Sequence, residues 1–209
     1  MTLSHIHRFE PGPSSKGLLL LHGTGGDEHD LIDLSRAIAP GAPLLSPRGQ
    51  VREGPANRFF HRMAEGVFDI PDLKARTQAL ADFVVEAGRT YGIEPPVALG
   101  FSNGANIAAS LLLLRPEVLS GAILMRATLP FEPDSLPDLA GKPVLILSGQ
   151  ADPMAPAAKV ERLANLLRQA GAEVRHEVLP AGHGLLQRDL ELARDWWAES
   201  GSADILSAS

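Results

Sequence analysis

A chain of 209 residues, 44% hydrophobic and 21% charged, has the composition of an ordinary globular domain with room for one sizeable core, which excludes disordered and collagen-like classes. A net charge of -6 without long single-sign runs lacks the electrostatic footprint of a nucleic-acid or anionic-membrane binder. The absence of cysteine excludes a disulfide framework, a thiolate nucleophile and a cysteine metal site.

The opening "MTLSHIHRFEPGPSSKG" has no basic segment followed by an apolar one, so no secretory signal is expected. No apolar run approaches a membrane span, and the cytoplasm is the expected location. Within this stretch "HIHRF" is a candidate edge strand. "GLLLL" at 17–21 is the first of several short Leu/Ile/Val runs and leads into "HGTGGD"; "APLLS" at 42–46 is the next. Residues 48–72, "RGQVREGPANRFFHRMAEGVFDIPD", then make a longer connection than compact domains usually carry, and such loops are often functional. It gathers Phe59, Phe60, Met63 and Phe68 beside Arg58 and Arg62. Two readings stand: a hydrophobic cluster that pins the loop, or one wall of a substrate pocket at the carboxyl ends of the strands.

Leu73, Thr77, Leu80, Val84, Ala87 and Tyr91 repeat at helical spacing, with Asp72 as the expected N-cap. "PVALG" at 96–100 is a strand running into "FSNG" and an Ala/Leu-rich helix. "GAILM" at 121–125 is followed by "TLPFEP", whose Leu129 and Phe131 could supply the opposite pocket wall. "PVLILS" at 143–148 leads to "GQADPMAP" and a helix carrying Val160, Leu163, Leu167 and Ala170, with Pro156 near its start and Gly171 past its end. "EVRHEVLPAGHG" reads as a last strand and loop. Leu186, Leu190, Ala193 and Trp197 mark a last helix, in which Trp196 and Trp197 read as packing. The tail at 201–209 is expected to fray. The strands lack strict alternation, as expected where both sheet faces are covered, and they interleave with helices. The expectation is a single α/β domain over 1–209, an open, mostly parallel sheet with helices on both faces.

A bare Gly-x-Ser-x-Gly is weak evidence, but "GFSNG" follows a buried strand and opens a helix, the setting in which a strained turn presents a serine nucleophile. Ser102 is the candidate; the bland alternative is a small residue in a tight turn. A serine hydroxyl also needs a histidine to take its proton and a carboxylate to orient that histidine. Asp152, in a loop just past a buried strand, is the candidate acid, against an N-cap or turn role and against Asp138 and Asp189 as rivals. His183 between Gly182 and Gly184 is the candidate base, preferred over His176, which falls inside the strand. Two backbone N–H groups, of Asn103 and of Thr24 in the glycine-rich loop, are the expected oxyanion hole. His22 reads as a brace of that loop. "HGTGGD" lacks the spacing of a dinucleotide or phosphate cradle, and no metal-ligand spacing occurs.

On "LLHGTGGDEHDL", "SPRG", "NRFF", "GFSNGA", "GQADPMAP" and "AGHG" the chain resembles the α/β-hydrolase superfamily along nearly its whole length. Within it, the likeness is to the small phospholipase/carboxylesterase family of dienelactone-hydrolase-like and acyl-protein-thioesterase-like enzymes. The resemblance implies an eight-stranded or slightly reduced sheet, a Ser-His-Asp triad, no metal and no organic cofactor. Dienelactone hydrolases proper carry a cysteine nucleophile, which speaks against the dienelactone reaction here. The expected function is a short-chain carboxylesterase without a large lid, acting on a small-molecule ester through an acyl-enzyme. Thioesterase or lysophospholipase activity with the same triad, or a non-catalytic ligand-binding protein, are the alternatives. The substrate pocket is expected at Arg58, Phe59, Phe60, Phe68, Leu129 and Phe131, and a homodimer is left open.

Overall fold

The computed structural model describes residues 3–207. Its main sheet has seven strands: β1 (His7–Glu10), β2 (Leu18–Leu21), β3 (Leu44–Pro47), β8 (Val97–Phe101), β9 (Gly121–Met125), β10 (Pro143–Gly149) and β11 (Glu173–Leu179). They lie in the order β1-β3-β2-β8-β9-β10-β11. All neighbours are parallel except β1, which pairs antiparallel with β3 as an edge strand. The helices are α1 (Ile32–Ile38), α2 (Ile70–Tyr91), α3 (Asn103–Leu114), α4 (Ala157–Gln169) and α5 (Gln187–Ser207). This is the α/β-hydrolase sheet, slightly reduced.

The buried residues fall into two clusters, one on each face of the sheet. Leu19, Leu21, Ala98, Leu124 and Ile146 face α2, α3 and α4. Leu18, Leu20, Leu99, Ile123 and Leu147 face the side covered by α1 and α5. Successive residues of a strand point to opposite faces, so a strand covered on both sides must be apolar throughout. That is why Leu18 to Leu21 are four leucines in a row, each fully buried. Truncating any one of them to alanine would cost about 3–5 kcal/mol.

Helix α2 starts earlier than its apolar repeat suggests. Asp69, not Asp72, is its N-cap: the Asp69 backbone is extended and its Oδ1 accepts the Asp72 N–H at 3.1 Å. Pro71 in the first turn costs no hydrogen bond there, which lets the helix begin before Asp72. Asp72 instead accepts the His61 N–H at 2.7 Å and an Arg76 N–H at 3.2 Å. The long connection is two small hairpins, β4 (Val51–Glu53) with β5 (Ala56–Arg58), and β6 (Arg62–Ala64) with β7 (Val67–Phe68). Of the tail expected to fray, the backbone of 201–207 continues α5, and 208–209 lie outside the described residues.

Candidate active site

Ser102 sits between the end of β8 and the start of α3 with φ 53° and ψ -113°, a conformation that costs a residue with a side chain about 1–3 kcal/mol. The flanking glycines make room for it. A Cβ on Gly104 would strike the carbonyl oxygen of Leu21, and one on Gly100 would lie 2.7 Å from the backbone of Ala105. The strained turn is held at both ends, since Ser102 N–H donates to Met125 O and Asn106 N–H donates to Ser102 O, both at 2.9 Å.

The loops after β10 and β11 bring the other two candidates to this turn. His183 Nε2 lies 2.8 Å from Ser102 Oγ, and His183 Nδ1 lies 2.8 Å from Asp152 Oδ2. The Asp152 side chain is fully buried while that of His183 is 23% exposed, so the carboxylate is dry and the imidazole still reaches solvent. Asp152 also forms the turn that the bland reading gave it: its Oδ1 accepts the N–H groups of Met154 at 2.9 Å and Ala155 at 3.2 Å. Those donors fix the carboxylate so that Oδ2 is left for the histidine. The ring of Phe101 lies 5.4 Å from that of His183 and backs it.

Across the crevice, Gly25 N–H is spent on Asn57 O and Gly26 N–H on Gly23 O. The N–H groups of Thr24 and Asn103 take no partner among the described residues, the second being an orphan donor of the first turn of α3. His22 is buried, donates from Nδ1 to Gly23 O at 2.7 Å and accepts the Gly49 N–H on Nε2 at 2.9 Å. It braces the loop. Burial pushes its pKa below the ordinary histidine value, although the Gly23 carbonyl and nearby acids pull the other way.

Arg58 is buried and reaches the same loop, donating to Thr24 Oγ1 at 2.6 Å and to Phe60 O at 3.2 Å. Asn103 Oδ1 accepts the Phe59 N–H at 2.8 Å, and Asn57 Nδ2 donates to Gly26 O at 2.8 Å. The first hairpin is therefore laced to the glycine-rich loop and to the start of α3. Phe59 and Phe60 are buried in the core, Phe59 against His22 and Phe60 edge-on to Phe68, so they support the wall from behind. Phe68 and Leu129 are half-buried; Phe131 is buried, with Lys74 Nζ 5.0 Å above its ring.

The rival residues do other things. Asp138 Oδ1 accepts the Ala140 N–H in an exposed turn, and His176 Nε2 lies 2.8 Å from Ser148 Oγ. Asp189 is buried in a pair that the residue pattern did not single out. Arg126, directly after β9 with φ 59°, donates to both Asp189 oxygens at 2.8 Å. It also donates to the carbonyls of Gly182 at 3.2 Å and Gly184 at 2.9 Å, on either side of His183, and to Leu147 O at 3.1 Å. The one signal for it was a charge at the carboxyl end of an otherwise apolar strand. Among the described residues no three potential ligands converge on a metal position, and no helix is long and apolar enough to cross a membrane.

A seven-stranded sheet with a serine on a strained strand-to-helix turn, met there by a histidine and a carboxylate from later loops, defines an α/β hydrolase. The Dienelactone hydrolase family profile matches residues 70–204, and the chain belongs to that family. It is 47% identical over 196 residues to the protein named "Putative hydrolase MhqD" of Bacillus subtilis (strain 168), covering 93% of this chain and 98% of that one. The crystal structure of the Bacillus cereus carboxylesterase superimposes with a TM-score of 0.90 at 42% identity, covering 92% of each chain. That of a carboxylesterase from Mesorhizobium loti does so with a TM-score of 0.83 at 37% identity, covering 90% of each. The chain is a hydrolase by family.

Proposed function

We propose that the protein is a serine carboxylesterase of short-chain esters. The observation that carries this is the unbroken chain from Ser102 Oγ through the His183 ring to Asp152, with 2.8 Å at each link. In this reading Ser102 Oγ attacks the ester carbonyl while His183 Nε2 takes its proton. The negative charge that forms on the carbonyl oxygen is held by the N–H groups of Asn103 and Thr24, which take no partner among the described residues. His183 then protonates the departing alcohol and leaves an acyl-serine. Water, deprotonated by the same imidazole, attacks that ester and releases the acid. Asp152 keeps the Nδ1–H tautomer and steadies the imidazolium in both halves.

The acyl group rests against Phe68 and Leu129, the half-buried apolar side chains of the expected pocket. The Bacillus cereus and Mesorhizobium loti carboxylesterases, alike in fold and above 35% identity, support an ester over other carbonyl substrates. The substrate is a small soluble ester and the enzyme works in the cytoplasm. A fluorophosphonate probe should label Ser102, and Ser102→Ala should lose both the label and the turnover of short aryl esters while remaining folded. Turnover that survives the substitution would overturn the reading. A series of acyl esters and thioesters separates this enzyme, faster on short oxygen esters, from a thioesterase or lysophospholipase with the same triad.

A further inference from the structure

The two edges of the sheet are unlike. β1 is four residues long, whereas β11 is seven and pairs with β10 in unbroken register from Glu173 to Leu179, with no bulge and no proline. Long regular edge strands are an invitation to further pairing, which proteins usually discourage by shortening them, kinking them or placing lysine on them. β11 is neither shortened nor kinked and carries no lysine; the charges it does carry, on Glu173, Arg175 and Glu177, alternate in sign, and its Val178 is 60% exposed.

The direction of its backbone groups follows from two bonds at its ends. Glu173 N–H donates to Lys142 O at 2.9 Å and Leu179 O accepts the Gln150 N–H at 2.8 Å. Residues 173, 175, 177 and 179 thus turn their amides toward β10, and by alternation Val174, His176 and Val178 turn theirs outward. The contact from Arg168 Nη2 to Val174 O, at 3.3 Å, lies on that outer side.

We propose that β11 is a self-association edge, on which a second copy of this chain pairs antiparallel, β11 to β11, about a two-fold axis through His176. In this register Val174, His176 and Val178 lie opposite Val178, His176 and Val174 of the partner copy and exchange about six backbone hydrogen bonds. The N–H of Val178 in the second copy takes over the Val174 carbonyl from Arg168. Arg175 falls opposite the second copy's Glu177, in the non-hydrogen-bonded pairs where side chains stand closest. An axis falling between two residues would set these outward amides against residues that turn theirs toward β10, so the axis must pass through a residue. An axis at Arg175 sets Arg175 against itself and Glu173 against Glu177, and one at Glu177 sets that acid against itself, whereas the His176 register sets opposite charges face to face and pairs the strand along its full length from Glu173 to Leu179. Arg175 and Glu177 already lie 2.9 Å apart within one chain, with Glu199 of α5 3.4 Å from the arginine. A second copy continues this alternation of charge across the axis. Burial, with Arg168 beside it, pushes the His176 pKa down, so the two imidazoles meet uncharged at neutral pH. The association is isologous and closed, and it joins two seven-stranded sheets into one.

The register is tested by charge exchange in sedimentation equilibrium over a wide concentration range. The full chain should show a monomer–dimer equilibrium. Arg175→Glu leaves only acids at the two charged positions and Glu177→Arg leaves only arginines, so each alone should weaken self-association on the order of tenfold or more. An equimolar mixture of the two variants should dimerise again, because each strand then faces its opposite, and the double variant Arg175→Glu/Glu177→Arg should dimerise by itself. Val178→Lys is a second disruption on the same strand. Circular dichroism and aryl-ester turnover, neither of which this edge should alter, report that each variant is folded. A full chain that stays monomeric throughout, a dimer that survives Val178→Lys or both single charge changes, or a mixture that fails to recover it would overturn the pairing. The readout is mass, so it is independent of whether Ser102 is the nucleophile.

Discussion

The two walls of the crevice are built from different physical materials. The wall that presents Ser102 and the N–H groups of Thr24 and Asn103 is held mainly by close backbone approach and short local hydrogen bonds: Gly104 against Leu21, the Gly25 and Gly26 amides, His22 between Gly23 and Gly49, with the Arg58 guanidinium added on Thr24 Oγ1. The wall that presents Asp152 and His183 hangs on one buried ion pair, Arg126 with Asp189, whose arginine also holds the carbonyls on both sides of His183. A serine on a strained turn must be fixed to within a few tenths of an ångström, which backbone contacts do well. A histidine on a loop needs its swing restrained without losing solvent access, and a guanidinium with several donors can hold several carbonyls at once. The two walls should therefore fail in different ways.

The largest effect is expected where the walls meet. Asp152→Asn keeps the shape of the acid but presents an amide to His183 Nδ1, favouring the wrong tautomer. Turnover of a short aryl ester should fall on the order of 10³–10⁴-fold with little change in the unfolding midpoint, since the Met154 and Ala155 N–H groups still find Oδ1. A loss of less than tenfold in kcat would remove Asp152 from the mechanism and return Asp189 to consideration.

Breaking the ion pair should cost both stability and rate. Arg126→Met or Asp189→Asn leaves a buried charge without its partner, a loss of about 3–5 kcal/mol in urea unfolding. Arg126→Met/Asp189→Leu removes both charges and should recover most of that stability, because a dry apolar pair often replaces a buried ion pair without loss. It does not replace the donors to Gly182 and Gly184, so kcat should stay low while stability returns. If rate and stability recover together, Arg126 has no hold on the position of His183 beyond keeping the chain folded.

The same contrast governs what the residue pattern could reveal. Glycine and a turn leave a local signature, so the elbow, the "HGTGG" loop and the flanks of His183 are readable from a few neighbouring letters, as are strands that must be apolar on both faces. The Arg126–Asp189 pair joins residues 63 positions apart; the one local mark is an arginine directly after the apolar strand 121–125, and nothing near Asp189 distinguishes it from an ordinary helix-start acid. Arg58 is similar. Its place beside the aromatics suggested a pocket, while its contacts run to Thr24 and the Phe60 carbonyl. The two hairpins within 48–72 were hidden because strands of two or three residues carry no usable period. Asp69 was passed over as a cap because the apolar repeat of α2 starts only at Leu73, one turn into the helix.

Arg58 offers a smaller and more discriminating test. Arg58→Met keeps most of the buried side-chain volume and removes the donors to Thr24 Oγ1 and Phe60 O. A brace of the oxyanion loop predicts a several-fold to roughly tenfold fall in kcat with KM nearly unchanged, and about 1–2 kcal/mol less stability. A rise in KM at constant kcat would instead make Arg58 a group that binds the substrate directly, as its place among the pocket residues first suggested.

The smallest effect is a slope rather than a loss. His22 works as a neutral ring, giving a proton from Nδ1 to Gly23 O and receiving the Gly49 N–H on Nε2. Protonating Nε2 would set two donors face to face in a buried site. Because burial lowers its folded-state pKa below the ordinary value of 6.5, the unfolded chain takes up the proton first as the medium is acidified. The stability it contributes is complete above about 6.5 and is lost progressively as pH falls toward the lower folded value. His5, pushed down to about 4 mainly by burial and also by His7 and Arg76, and His176, also lowered mainly by burial, act with the same sign. The absolute slope therefore belongs to several groups, and the difference between the full chain and His22→Gln isolates one. The variant should cost about 1 kcal/mol at pH 8 and should lose less further stability than the full chain between pH 7 and pH 5, so that the two urea-unfolding curves converge in acid. Curves that stay parallel would mean that the Gly49 amide is held without the neutral imidazole, and that the nucleophile wall owes its order to the glycine contacts alone.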